Sequence, residues 1–199
     1  MAVSAPVRHM TVEEFRQLEK PVGDFDYELH FGELVQVTRP KRGHHVMQDH
    51  LTQLLKQDLG AHGYVSMKIV FRILPEGDIR AADVAFVSWA RWNADNLDTD
   101  LFGAPELVIE ILSPSNTASE MYERGKLCLE NGCIQFWTVD LKKRMIRVAA
   151  KDQPTPFYGP DQEIPLTAFG GTSLKLSEVF VWVVLPVRVG RERFLVTSR

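Results

Sequence analysis

Two apolar runs in this chain each carry one carboxylate at their centre, and that pairing constrains the fold more than any other feature. Residues 79–87 set Asp83 among Ala82, Val84, Ala85, Phe86 and Val87; residues 106–112 set Glu110 among Val108, Ile109, Ile111 and Leu112. Short runs this rich in branched residues read as buried strands. A carboxylate inside such a strand is costly unless it is paired, protonated or bound to metal. For either acid alone, pairing with an arginine such as Arg80 is the simpler account. Two acids on consecutive, neighbouring strands shift the balance towards one shared hard cation. Magnesium takes one or two carboxylates and keeps its waters, which matches this supply, and manganese is the alternative.

The rest of the chain builds around these runs. Residues 1–9 read as a loose arm. Thr11 with Glu14 three residues on forms a capping box that opens a short helix, ended by Pro21 and Gly23. Residues 26–37 alternate at period two about Phe31-Gly32, a hairpin signature. Met47, Leu51, Leu54, Leu55 and Leu59 then fall at helical spacing, with Gly60 suited to the position just past the end. Residues 64–74 form a strand that turns at 75–78 into the Asp83 run. Residues 90–104 are charged and aperiodic, hence an exposed loop. A helix over 117–131, stopped by Gly132, links the Glu110 strand to a strand over 133–139, and 143–148 returns antiparallel. This order of elements is an α/β (α+β) arrangement around a mixed sheet, in one domain of 199 residues with its core over about 10–180. The apolar tail 181–199 fits an added edge strand or a subunit contact, as in a homodimer.

Net charge is −3 and the pI about 6.1, so no global basic excess marks a nucleic-acid binder. Positive charge is local: Arg39 with Lys41 and Arg42, Lys142 to Arg144, and Arg188 with Arg191 and Arg193. The two cysteines, Cys128 and Cys133, are too few for a disulfide framework and read as reduced core or boundary thiols of a cytoplasmic protein. The N-terminus has no apolar core of a signal peptide. The apolar run 179–187 contains Pro186 and is far short of the roughly 20 residues that cross a bilayer, so no membrane association is expected.

Four further features bear on chemistry. Glu28 in the hairpin is a candidate third acid, weighed equally against an exposed charge, and Glu33 is a weaker version of it. His44, beside Lys41 and Arg42, is either an exposed helix-start histidine or a phosphate contact. Residues 113–117 supply caps to a helix N-terminus, an end that also suits an anion. On that helix Ala118, Met121, Tyr122, Cys128 and Leu129 define the inward face. Arg124 and Lys126 then fall on opposite flanks, so only one of them reaches the acids, and periodicity does not say which. No nucleotide-binding glycine loop, HExxH or serine-histidine-aspartate arrangement is present.

Several of these stretches, in this order, resemble the Uma-type family of restriction endonuclease-like proteins, a domain-of-unknown-function group in the PD-(D/E)XK nuclease-like superfamily. The resemblance is carried by residues 27–35, His44 with its leucine spacing, 82–87, 106–116, 132–140 and 176–180. It implies a restriction-endonuclease-like mixed sheet flanked by helices and a magnesium ion at Asp83, Glu110 and the Ile111 carbonyl. Glu28 would assist, and DNA is the expected substrate. The superfamily lysine two residues after the second acid is Leu112 here. The family places a lysine on the next helix instead, and an ungapped alignment from Ser113 to Gly132 puts Arg124 at that position. Arginine stays charged and cannot serve as a base. Hence three readings stand: Arg124 as electrostatic substitute, Lys126 in its place, or a catalytically inactive nuclease fold that binds nucleic acid or protein.

Overall fold

The computed structural model describes residues 9–94, 96 and 98–181. Residues 1–8 of the N-terminal arm, the tail beyond Val181 and the basic group at Arg188, Arg191 and Arg193 lie outside the described residues.

Local chemistry sets the first elements. Thr11 and Glu14 form the reciprocal capping box of α1 (Val12–Arg16). β1 (Phe25–His30) and β2 (Glu33–Thr38) pair antiparallel, Leu29 against Leu34 and His30 against Glu33. Their two-residue turn needs positive φ at both positions, and Phe31 (+53°) and Gly32 (+82°) supply it. One bridge, Leu29 to Ile79, ties this hairpin to the main sheet.

The core is a seven-stranded mixed sheet. Its inner strands are β3 (Gly63–Arg72), β4 (Arg80–Ser88), β6 (Leu107–Ile111), β7 (Gln135–Asp140) and β8 (Met145–Ala150), adjacent in that order. All neighbours among them are antiparallel except β6 and β7. Those two are parallel because α4 (Ala118–Glu130) crosses between them. Short edges complete the sheet: β5 (Leu101–Phe102) beside β3, and β9 (Phe157–Tyr158) beside β8. The segment expected as a plain loop therefore holds β5 and a helical turn, α3 (Trp89–Trp92), capped by the Ser88 side chain.

Each face of the sheet has its own core. Met47, Leu51, Leu55 and Leu59 of α2 (Arg42–Leu59) pack with Val84, Phe86, Ile109, Trp137 and Val139. A second hairpin, β10 (Glu163–Pro165) with β11 (Ser173–Lys175), and α5 (Leu176–Val179) close that core through Ile164, Leu174, Leu176 and Val179. On the opposite face Cys128 of α4 packs with Ala85, Val87, Val108 and Phe136. The inward stripe of α4 is Met121, Gly125 and Cys128; Tyr122 and Ala118, expected to face inward, are exposed. Gly125 explains the difference. A Cβ there would stand 2.9 Å from the Phe136 ring, so the helix lies against the sheet along a position with no side chain. Cys128 and Cys133 are buried free thiols, and burial pushes Cys128 up to about 12.

Candidate active site

The β4–β6 ladder pairs Phe86 with Leu107, Ala85 with Val108 and Val84 with Ile109, and there it stops. One step on, the same register sets Asp83 opposite Glu110. The strands part at this point, and the Asp83 carboxylate enters the opening, where Oδ2 accepts the Ile111 backbone N–H at 2.9 Å. Glu110 in turn pairs with Thr138 of β7.

The other side of β4 is also irregular. Met67 pairs with Val84 and Ile69 with Ala82, but the ladder skips Lys68 opposite Asp83. Lys68 has φ +56°, a left-handed conformation that costs a side-chain-bearing residue about 1–3 kcal/mol. The strand changes face there: Ala82 joins the core under α4, whereas Val84 joins the core under α2. A regular strand would keep residues two apart on one face. One transverse row, Lys68–Asp83–Glu110–Thr138, thus crosses four adjacent strands.

Asp83 is met from the α2 side. Its Oδ1 accepts from Gln48 Nε2 at 2.8 Å and from Lys68 Nζ at 3.1 Å. His44 Nε2 stands 2.9 Å from Oδ2 but off the line of a hydrogen bond, so this buried nitrogen has no aligned partner. Burial works against the charged form. The His44 ring, the Lys68 ammonium and the Ile111 amide outweigh it and hold the Asp83 carboxyl below its usual range.

Glu110 is met from the α4 side, where Arg124 Nε donates to its Oε1 at 2.9 Å. Burial pushes Glu110 up to about 8 despite Arg124, with the Asp83 and Glu28 charges adding to the rise. Arg124 is held on three sides, since Nη1 donates to Glu28 Oε2 at 3.0 Å and Nη2 to the Ala81 carbonyl at 2.8 Å. The second oxygen of Glu28 accepts the Ala81 N–H at 3.1 Å, and its Oε2 lies 2.7 Å from His30 Nε2. Burial tends to raise the Glu28 carboxyl, but Arg124 and His30 prevail and hold it well below the usual carboxylate range. A carboxyl depressed in the folded state stabilises the protein above its unfolded value, about 4.3, and loses that contribution as pH falls towards its folded value. Wild type should therefore exceed Glu28→Gln in urea-unfolding free energy at pH 7, and the gap should narrow at pH 3.

The structure thus gathers Asp83, Glu110, Arg124, Glu28, Ile111 and His44. It answers the helix question geometrically, because Arg124 faces the acids and Lys126 is exposed. Lys41 and Arg42 are exposed at the start of α2, and among the described residues neither side chain bonds to an acid. Glu33 is exposed in the hairpin. Arg80, the alternative partner weighed for Asp83, is held by Asp78 at 2.9 Å instead. Sequence reasoning missed Lys68, Gln48 and Thr138. Gln48 carried a signal, being a polar residue next to Met47 and three before Leu51 on the buried stripe of α2.

Burial of the two acids does not by itself demand a metal, because Lys68 and Arg124 each supply a positive charge to one acid. Among the described residues no three His, Cys, Asp or Glu side chains converge as a metal-holding group. The donor chemistry nonetheless suits a hard cation. Glu110 stays short of positive charge even beside Arg124, and its Oε2 has no hydrogen bond among the described residues. Two further oxygens, Gln48 Oε1 and Thr138 Oγ1, are buried without a partner.

A seven-stranded mixed sheet flanked by helices is an α/β architecture of the restriction-endonuclease-like class. The chain belongs to the Uma2 family, described as putative restriction endonuclease, whose model matches residues 12–177. A similar solved structure is that of a putative nuclease belonging to DUF820 from Anabaena variabilis ATCC 29413. The two share 20% identity, with a TM-score of 0.74 over 88% of this chain and 99% of the other, a likeness of fold. No curated protein matches the chain. No helix among the described residues is long and apolar enough to cross a membrane.

Proposed function

We propose that this chain is a divalent-metal-dependent phosphodiester hydrolase acting on DNA. The observation that carries the reading is the fork between β4 and β6, where Asp83 and Glu110 stand in register in a buried sheet. Asp83, Glu110 and the Ile111 carbonyl would hold magnesium or manganese, which when bound supplies an activated water and charge neutralisation at phosphate. The chain's own residues do the positioning. Ile111 N–H and Gln48 fix the Asp83 carboxylate. Glu28 and the Ala81 carbonyl fix the Arg124 guanidinium, whose permanent charge stabilises the pentavalent phosphorus but cannot take a proton. His44, with Lys41 and Arg42 at the same helix end, is the weaker candidate for a phosphate contact. Membership of the Uma2 family supports the reading.

A second reading, an inactive nuclease fold that binds nucleic acid or a protein, is favoured by one observation: Arg124 stands where the family lysine is expected and is already held on three sides. Plasmid nicking separates the two. Wild type should nick with magnesium or manganese, stop on chelation, and lose the activity in Glu110→Gln. Equal nicking by both proteins, or none by either while DNA is still bound, refutes the hydrolase reading.

A further inference from the structure

Four nitrogen-bearing groups surround Asp83, and they are not alike. Gln48 is fully buried, the Ile111 N–H belongs to the sheet, and the His44 ring is largely enclosed. The Lys68 side chain is 47% exposed and meets the carboxylate only through its terminal ammonium. It also reaches Asp83 from a left-handed backbone that breaks the ladder at this one position. Strain retained where the side chain touches a buried acid signals use rather than packing. Lys68 further lines a cleft of about 280 Å³ with Tyr64, Trp92 and Arg91, in which the Tyr64 and Trp92 rings stack at 4.1 Å. The residue that neutralises Asp83 thus also borders a cleft whose wall carries aromatic rings, of the kind on which nucleobases stack.

We propose that Lys68 is an exchangeable counter-ion. It neutralises Asp83 while no divalent cation is bound, yields that carboxylate when one binds, and turns its charge to the phosphate of a nucleotide in the cleft. This rests on the metal reading above. A divalent ion and an ammonium compete for the same carboxylate oxygen and repel each other at this range. Removing the ammonium must therefore tighten metal binding and weaken hold on the nucleic acid.

The test needs no turnover. Free manganese is titrated by electron paramagnetic resonance into wild type, Lys68→Gln and Lys68→Arg. Binding of a short single-stranded oligonucleotide is then followed by anisotropy with calcium present. Lys68→Gln should bind manganese about 5–10-fold tighter and the oligonucleotide several-fold more weakly, with Lys68→Arg near wild type in both. Urea unfolding of the three proteins checks that each is folded. If wild type takes up manganese and Lys68→Gln binds it no more tightly, or holds the oligonucleotide as well as wild type, the counter-ion role is overturned and the metal reading survives. If none of the three binds manganese, both fall.

Discussion

Replacing Arg124 with alanine is expected to lower the unfolding free energy by about 3–5 kcal/mol, the range seen when one partner of a buried ion pair is removed. The size follows from what the guanidinium touches. Among the described residues it is the only cation bonded to Glu110, one of three groups bonded to Glu28, and the donor to the Ala81 carbonyl. Alanine leaves two buried carboxylates with one histidine between them, and an unfilled space where the guanidinium met Glu110, Glu28 and the Ala81 carbonyl. Arg124→Lys should recover only part of the loss, because a single ammonium cannot replace a planar fork that donates to three acceptors. Urea unfolding at pH 7 reads both. A cost below 1 kcal/mol for the alanine variant would mean that water replaces the guanidinium and that the trio is no rigid unit.

Asp83→Asn should behave in the opposite way, with a small cost in stability and a large cost in cleavage. All four groups around Asp83 present nitrogen, so an amide places one N–H against a donor. Gln48 relieves its part of that conflict by turning its amide over, because its buried Oε1 has no partner to lose, and the half-exposed Lys68 ammonium swings into solvent. About 1–2 kcal/mol is the expected price in unfolding free energy. Cleavage should fall on the order of 10³-fold, since the lost charge is the one that would help hold the cation, and each 1.4 kcal/mol of transition-state stabilisation is tenfold in rate. Steady-state nicking and urea unfolding of the same preparation give both numbers. A variant that nicks like wild type would place the chemistry elsewhere.

How much of this the sequence disclosed depended on whether a residue contradicts its neighbours. Asp83 and Glu110 stand out because acids in apolar runs break the expected pattern, and the leucines of α2 and the Phe31-Gly32 turn follow ordinary periodicity. Lys68 was silent. Within Ser66-Met67-Lys68-Ile69 a lysine looks like the outward residue of an alternating strand, and no glycine or asparagine announces its left-handed backbone. The inward face of α4 was misjudged for a related reason: Gly125 gives hydropathy no weight, yet it sets how closely the helix approaches Phe136. The charged segment 90–104 concealed α3 because Ser88, its cap, lies at the end of the preceding strand. Arg124 and Lys126 could be told apart only once that helix had been rotated into place.

The hairpin that delivers Glu28 carries an implication for how this centre comes together. Glu28 and Leu29 are neighbours on β1, one turned to Arg124 and the other into a small core with Val12 and Ile79. A slip of one residue along β1 would present leucine to the guanidinium and thrust the acid into oil. The Phe31-Gly32 corner, by fixing that alignment, thereby proofreads the assembly of a centre built mostly from strands far along the chain.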